Sequence, residues 1–165
     1  MSNFSFLASQ FPEIAREAME AESLAQISPK SCAVISRSAL EKAIFWMYEN
    51  DNSLRFPYDR TLASLLFQHD FKAIVDYRLF QEIKLVKDIG NNGAHGKSVS
   101  QQEAKVSLKN LFRFLAFIGF YYGNPQLKSQ PFNESLIPDG EELKRSKAQM
   151  LELVAKLEAQ NEQIR

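Results

Sequence analysis

Asp88-Ile89-Gly90-Asn91-Asn92-Gly93-Ala94-His95-Gly96 decides how this chain is read. It follows Leu79 to Ile89, where Phe80, Ile83, Leu85, Val86 and Ile89 recur at helical spacing and are expected to point inward. Gly and Asn tolerate the left-handed backbone that ends a helix, so the cluster from Gly90 to Gly93 predicts a helix stop. His95, one of two histidines, would then lie beside backbone groups freed by that stop, where an imidazole can cap or do chemistry.

On the N-terminal side, Pro12 suits the first turn of a helix from about Phe11 to Gln26, and Ser28-Pro29 supplies a cap and a first-turn proline for the next. That helix is expected to run to Asn50, with Cys32, Ala33, Ile35, Ala39, Leu40, Ala43, Ile44, Met47 and Tyr48 at helical spacing. Leu54 to Arg60 reads as a loop and Thr61 as the cap of a short helix to Gln68. His69 is expected in a turn, followed by a short apolar segment from Phe71 to Tyr77. On the C-terminal side, Ser98 to Gln101 offer a cap supported by Glu103, for a hydrophobic helix to about Tyr122. Gly123-Asn124-Pro125 stops it. No two-residue alternation or hairpin turn breaks the pattern. The expected fold class is all-α, an antiparallel helical bundle over residues 1–125.

Composition changes after Gly123. Asn124 to Gly140 holds three of the six prolines, and residues 126–140 read as a linker. Residues 141–165 read as one polar, coiled-coil-like helix, with Leu143, Met150, Leu157 and Ile164 repeating every seven residues and Leu153 and Val154 filling the stripe. Lys147 and Asn161 weaken that seam. No C-cap closes the segment, so the chain is expected to continue in a longer polypeptide.

The 165 residues carry 20 basic and 20 acidic side chains, which gives no overall electrostatic footprint for nucleic acid. Cys32 is the single cysteine, so no internal disulfide forms, and one Cys with two His do not make a structural zinc site. No signal peptide or membrane span is seen, and the protein reads as cytoplasmic. Phosphate-loop, dinucleotide and nucleophile-elbow motifs are absent.

Two segments hold the candidate site residues. Arg37 and Glu41 lie four apart on one helix face, flanked by the core-like Ile35, Leu40 and Ile44, and are expected to be partly buried. Asn91 and His95 form the second pair. His95 as a general base would make a metal-independent ribonuclease. The alternative is that both residues hydrogen-bond helix ends and neighbouring side chains, locking the bundle. No residue is assigned as catalytic and none as a metal ligand.

Arg37-Ser38-Ala39-Leu40-Glu41, together with Leu85-Val86-Lys87-Asp88-Ile89-Gly90-Asn91-Asn92-Gly93-Ala94-His95, resembles a helical domain at the N-terminus of the R (restriction and translocation) subunit of type I restriction enzymes. Asn3-Phe4-Ser5-Phe6-Leu7 and Phe117-Ile118-Gly119-Phe120-Tyr121-Tyr122 share the likeness, which covers roughly Asn3 to Pro125. The domain in turn is similar to the HEPN helical bundles, many of them ribonucleases with an Arg-Asn-x-x-x-His motif. Asn91 and His95 match its Asn and His, but Gly90 stands at the Arg position, where the motif has the cation that holds the scissile phosphate.

The resemblance implies one polar cluster of Arg37, Glu41, Asn91 and His95 between helices. It implies a non-catalytic module that supports assembly or DNA positioning, with ATP-driven DNA translocation and cleavage in later domains. No cofactor is expected in this chain, and ATP and Mg belong to those later domains. The implied partners are the modification and specificity subunits, and DNA through the parent complex. Self-association through 141–165 is a further expectation. A HEPN-type ribonuclease or nucleotide- or RNA-binding domain using Asn91 and His95 is the alternative reading.

Overall fold

The computed structural model describes residues 1–164, with side chains described for all of these except 142–144 and 163–164. Among the described residues there are seven α-helices: α1 (Pro12–Leu24), α2 (Pro29–Asn50), α3 (Leu62–Leu66), α4 (His69–Ile74), α5 (Tyr77–Ala94), α6 (Gln101–Tyr122) and α7 (Gly140–Ile164). Single 3₁₀ turns stand at Ser5–Leu7 and Glu134–Leu136. Among the described residues there is no strand.

The central element is α2, which packs on α1, α5 and α6, while α5 also packs on α6. Specific contacts give the directions. Lys42 Nζ reaches Glu13 and Glu17, and Ser38 Oγ donates to Glu17, so α1 and α2 run antiparallel. Gly90 lies against Ala33 and Arg37 while Gly93 lies against Lys30 and Val34, so α2 and α5 also run antiparallel. The short connections after α1 and α5 suit such neighbours. The resulting core is rich in aliphatic side chains from all four helices, with Leu40, Ile44, Met47, Ile83, Leu108 and Phe114 fully buried.

The caps follow local chemistry. Ser100 Oγ accepts from Glu103 N at 3.0 Å while Ser100 N donates to Glu103 Oε1 at 3.2 Å, a reciprocal capping box. Thr61 caps α3 and Asp76 caps α5 through their side-chain oxygens. Ser28 holds the cap position of α2, but its hydroxyl donates to Ser31 Oγ at 2.8 Å and accepts no backbone N–H. His69 opens α4 and is not in a turn.

The expected helix stop at Gly90 is overturned: α5 continues to Ala94. The stop lies at Gly96, whose φ of +80° is left-handed. Gly96 N donates to Gly93 O at 3.2 Å and Lys97 N to Asn92 O at 2.9 Å. That pair of bonds is a Schellman closure with His95 as the C-cap. Gly90 and Gly93 serve packing instead. A Cβ on Gly90 would lie 2.5 Å from Arg37 Cβ, closer than non-bonded atoms allow, and a tight 3.0 Å from Ala33 O. The missing side chains let α5 press onto the backbone of α2. Leu85, expected inward, is 42% exposed, on the side of α5 that also carries the exposed Gln81 and Asp88.

Residues 126–140, expected as a linker, return to the bundle. Phe132 packs its ring 5.3 Å from Phe112, Ile137 is buried, and Leu127 N donates to Gly119 O at 3.0 Å. The chain then enters α7, where every described side chain from Arg145 to Glu162 is exposed. Among the sequence-read heptad positions, Met150 and Leu157 are described; the side chains of Leu143 and Ile164 lie outside the described residues. No described helix is long and apolar enough to cross a membrane.

Candidate functional site

The α2–α5 crossing brings the two segments of interest to one place. Arg37 covers Gly90 with its aliphatic stem: a Cβ there would also lie 2.9 Å from Arg37 Cδ. Its head turns along α2, where Nη1 donates to Glu41 Oε2 at 3.4 Å. The two side chains are 31% and 37% exposed. An i,i+4 pair at this exposure stabilises the helix by about 0.3–0.5 kcal/mol. Arg37 Nε is buried without a hydrogen-bond partner, a consequence of laying the stem flat on α5. In this setting Arg37 is foremost a packing residue.

Asn91 follows Gly90 and is half-buried, whereas His95 is exposed at the C-cap. Among the described residues, neither side chain hydrogen-bonds Arg37, Glu41 or any other residue; His95 takes part in the closure of α5 through its backbone N–H alone. The structure thus joins Arg37 to Glu41 and places Gly90 under Arg37. It does not join Asn91 and His95 to them by hydrogen bonds. Among the described residues, no three His, Cys, Asp or Glu side chains group as a metal site.

Arg37 and Glu41 border an open groove of about 710 Å³ between the start of α1 and the outer face of α2. Phe11, Phe45 and Trp46 supply apolar wall, and Glu13, Lys42 and Glu49 supply charge of both signs. Lys42 is tied to Glu17 and Glu13, and these hydrogen bonds and charges raise its pKa above the ordinary ammonium value. Trp46 is held in place by edge contacts with Phe11 and Tyr122, at 4.9 and 5.3 Å between centroids.

At the far end of this wall, Tyr122 Oη donates to Asp51 Oδ2 at 2.6 Å. Burial favours the neutral form of Asp51, but hydrogen bonds from the Ser53 hydroxyl, Tyr122 and the Ser53 N–H outweigh it and lower its pKa. Tyr122 is displaced upward by burial and by that same bond. Cys32 is buried, and burial raises its thiol pKa to about 11, so it is a packing residue with little thiolate at neutral pH.

One arrangement had no signature in the sequence. Asn3 and Glu22 are both buried. Glu22 Oε2 accepts from Asn3 N at 3.0 Å and Asn3 Nδ2 at 2.8 Å. Asn3 also exchanges bonds with the Asn133 backbone, Nδ2 to O at 3.0 Å and N to Oδ1 at 2.8 Å. This clasp ties the N-terminus, α1 and the returning segment together across more than a hundred residues of chain. Spacing along the sequence could not have paired Asn3 with Asn133. The nearest hint was Glu22, an acid on the side of α1 that also carries Ala15 and Ala18.

Fold and crossing define an all-helical bundle protein whose inner helices meet glycine to side-chain stem. A family model described as a domain of unknown function (DUF4145) matches residues 19–118, and the chain belongs to that family. The matched span runs from α1 to near the end of α6 and contains Arg37, Glu41, Asn91 and His95. No curated protein and no solved structure matches the chain.

Proposed function

We propose that this chain is a HEPN-like, non-catalytic helical module of a type I restriction-modification R subunit, acting in assembly and not in cutting. The observation that carries the reading is the Gly90–Arg37 contact. The two sequence segments with the restriction-subunit likeness meet there, and they meet as packing. The HEPN nuclease motif needs a cation at the position of Gly90, and a side chain there would collide with α2. His95, the remaining candidate base, is exposed at a helix end, and among the described residues none hydrogen-bonds its ring to orient it. A general base works through such orientation as much as through its pKa.

The groove beside Arg37 and Glu41 suits docking to another protein. Aromatic and Arg side chains with balanced charge at the edge resemble the make-up of transient protein interfaces. In this reading the modification and specificity subunits are the partners, DNA is met through the complex, and translocation and cleavage belong to later domains of the parent.

The test is co-purification of the parent subunit with the modification and specificity subunits, with and without the double charge reversal Glu41→Arg and Glu49→Arg. Both side chains line the groove and neither is buried, so the bundle should stay folded. The expected result is at least a tenfold weaker association, corresponding to about 1.4 kcal/mol. Unchanged assembly would remove the groove from the account. Cleavage of RNA by the wild-type chain, abolished by His95→Ala, would replace this reading with the ribonuclease one.

A further inference from the structure

The last helix poses a separate question. It has 25 residues, and from Arg145 to Glu162 no described side chain is buried. Met150, Leu151, Leu153, Val154 and Leu157 are nevertheless 49–71% exposed along it. Helices in proteins are stabilised mainly by packing an apolar face, more than by intrinsic propensity. Among the described residues nothing of the bundle covers this face, which leaves it open to a partner.

The order of residues indicates which partner. With Lys147, Val154 and Asn161 at the a positions of a heptad, Leu143, Met150, Leu157 and Ile164 fall at the d positions. Val154 at a followed by Leu157 at d is the pairing that favours two parallel strands, and a single Asn at a second a position specifies register and oligomer state. Each a residue then meets its own counterpart across the axis. Two Asn161 amides satisfy one another there. In an antiparallel pair, a faces d, and each Asn161 amide would be set against an apolar d side chain, with a buried polar group left unpaired.

Charge agrees with self-pairing. Residues 141–165 hold five acidic and five basic side chains, so two copies carry no net repulsion. The g-to-e′ pairs of the parallel register are Ser146–Leu151, Leu153–Glu158 and Gln160–Arg165, none of them like-charged. Lys147 borders a cleft shared with Ile27 and Gln101 at the base of the helix, so the apolar seam starts after it, at Met150.

From this pattern we infer that α7 pairs with α7 of a second copy as a parallel, in-register coiled coil, with Val154 and Asn161 on the axis. The inference stands apart from the restriction-subunit reading, and its failure would leave that reading untouched.

Sedimentation of the full chain tests it. The expected result is a dimer that the double substitution Val154→Lys and Leu157→Lys converts to monomer, with the fluorescence of Trp46 unchanged because the bundle stays intact. A wild-type monomer up to about 100 µM would overturn the inference, since mass action would fill even a weak dimer there. So would a dimer that survives the double substitution. Orientation is read separately: Asn161→Cys should give a disulfide-linked pair on mild oxidation, the buried Cys32 taking no part. A dimer that yields no linked product would overturn the parallel register.

Discussion

The α2–α5 crossing and α7 are both helical and both carry a regular apolar pattern, yet they are opposites. At the crossing, contact is so close that Gly90 has no room for a methyl group. Along α7, every described side chain from Arg145 to Glu162 faces outward. Periodicity alone scores the two alike. What separates them is whether the rest of the chain offers a surface to cover the face. The bundle does so for α5 from two sides, through α2 and α6, whereas the described residues from Arg145 to Glu162 on α7 have no such cover.

The widest expected gap between the two regions is in core truncation. Phe112→Ala removes a buried ring that touches Phe4, Phe6 and Phe132, and should lower the unfolding free energy by about 3–5 kcal/mol. Leu157→Ala on α7 should leave the unfolding transition of the bundle where it is. Urea titration followed by Trp46 fluorescence measures both, and equal losses would erase the contrast. Glu22→Ala comes next. It strips the shared acceptor from Asn3 N and Nδ2 and should cost about 1–3 kcal/mol, because buried donors are left unpaired.

Glycine substitutions sharpen the crossing itself. Gly90→Ala gains about 1 kcal/mol of helix propensity but meets the base of Arg37 and a backbone carbonyl, an overpacking worth about 1–3 kcal/mol. Net destabilisation is expected. At Gly93 the nearest atoms would be 3.1 Å (Val34 Cγ2) and 3.3 Å (Lys30 O) away, so Gly93→Ala should be close to neutral. Thermal melts of the two variants compare them directly, and the reverse order would mean that the closest approach has been misplaced.

The smallest expected effect concerns pH. Asp51 has a lowered pKa in the folded state, so its contribution is present above the ordinary carboxylate pKa of about 4 and is lost as pH falls through the lowered native value. Tyr122→Phe removes one of the hydrogen bonds responsible. It should cost about 1 kcal/mol at neutral pH, with the gap to wild type closing in acid. A gap that stays constant down to pH ~2 would show that the bond to the charged carboxylate is not its source.

Much of this arrangement can be read along the chain. Pro12, Pro29, Thr61 and the Ser100–Glu103 box mark helix starts where the structure has them, because caps depend on residues within one turn. The partial burial of the Arg37–Glu41 pair was likewise legible, since four residues set the shared face and the flanking aliphatics its depth. Gly90 to Gly93 were misread because a glycine that ends a helix and a glycine that admits a neighbouring helix are identical in composition. His69 was misread for a related reason: a two-turn helix leaves too few residues to show a period.

Local order was therefore sufficient for the all-helical class, for α2 and α6 nearly to the residue, and for the change of character after Gly123. Packing had to settle the rest: the seat of Arg37 on Gly90, the outward position of His95, the Asn3–Glu22–Asn133 clasp and the return of residues 126–140 to the bundle. Each of these depends on groups far apart in the chain approaching within a few ångströms. Such approaches are chosen by the collective fit of whole helix faces, which no short stretch of residues encodes.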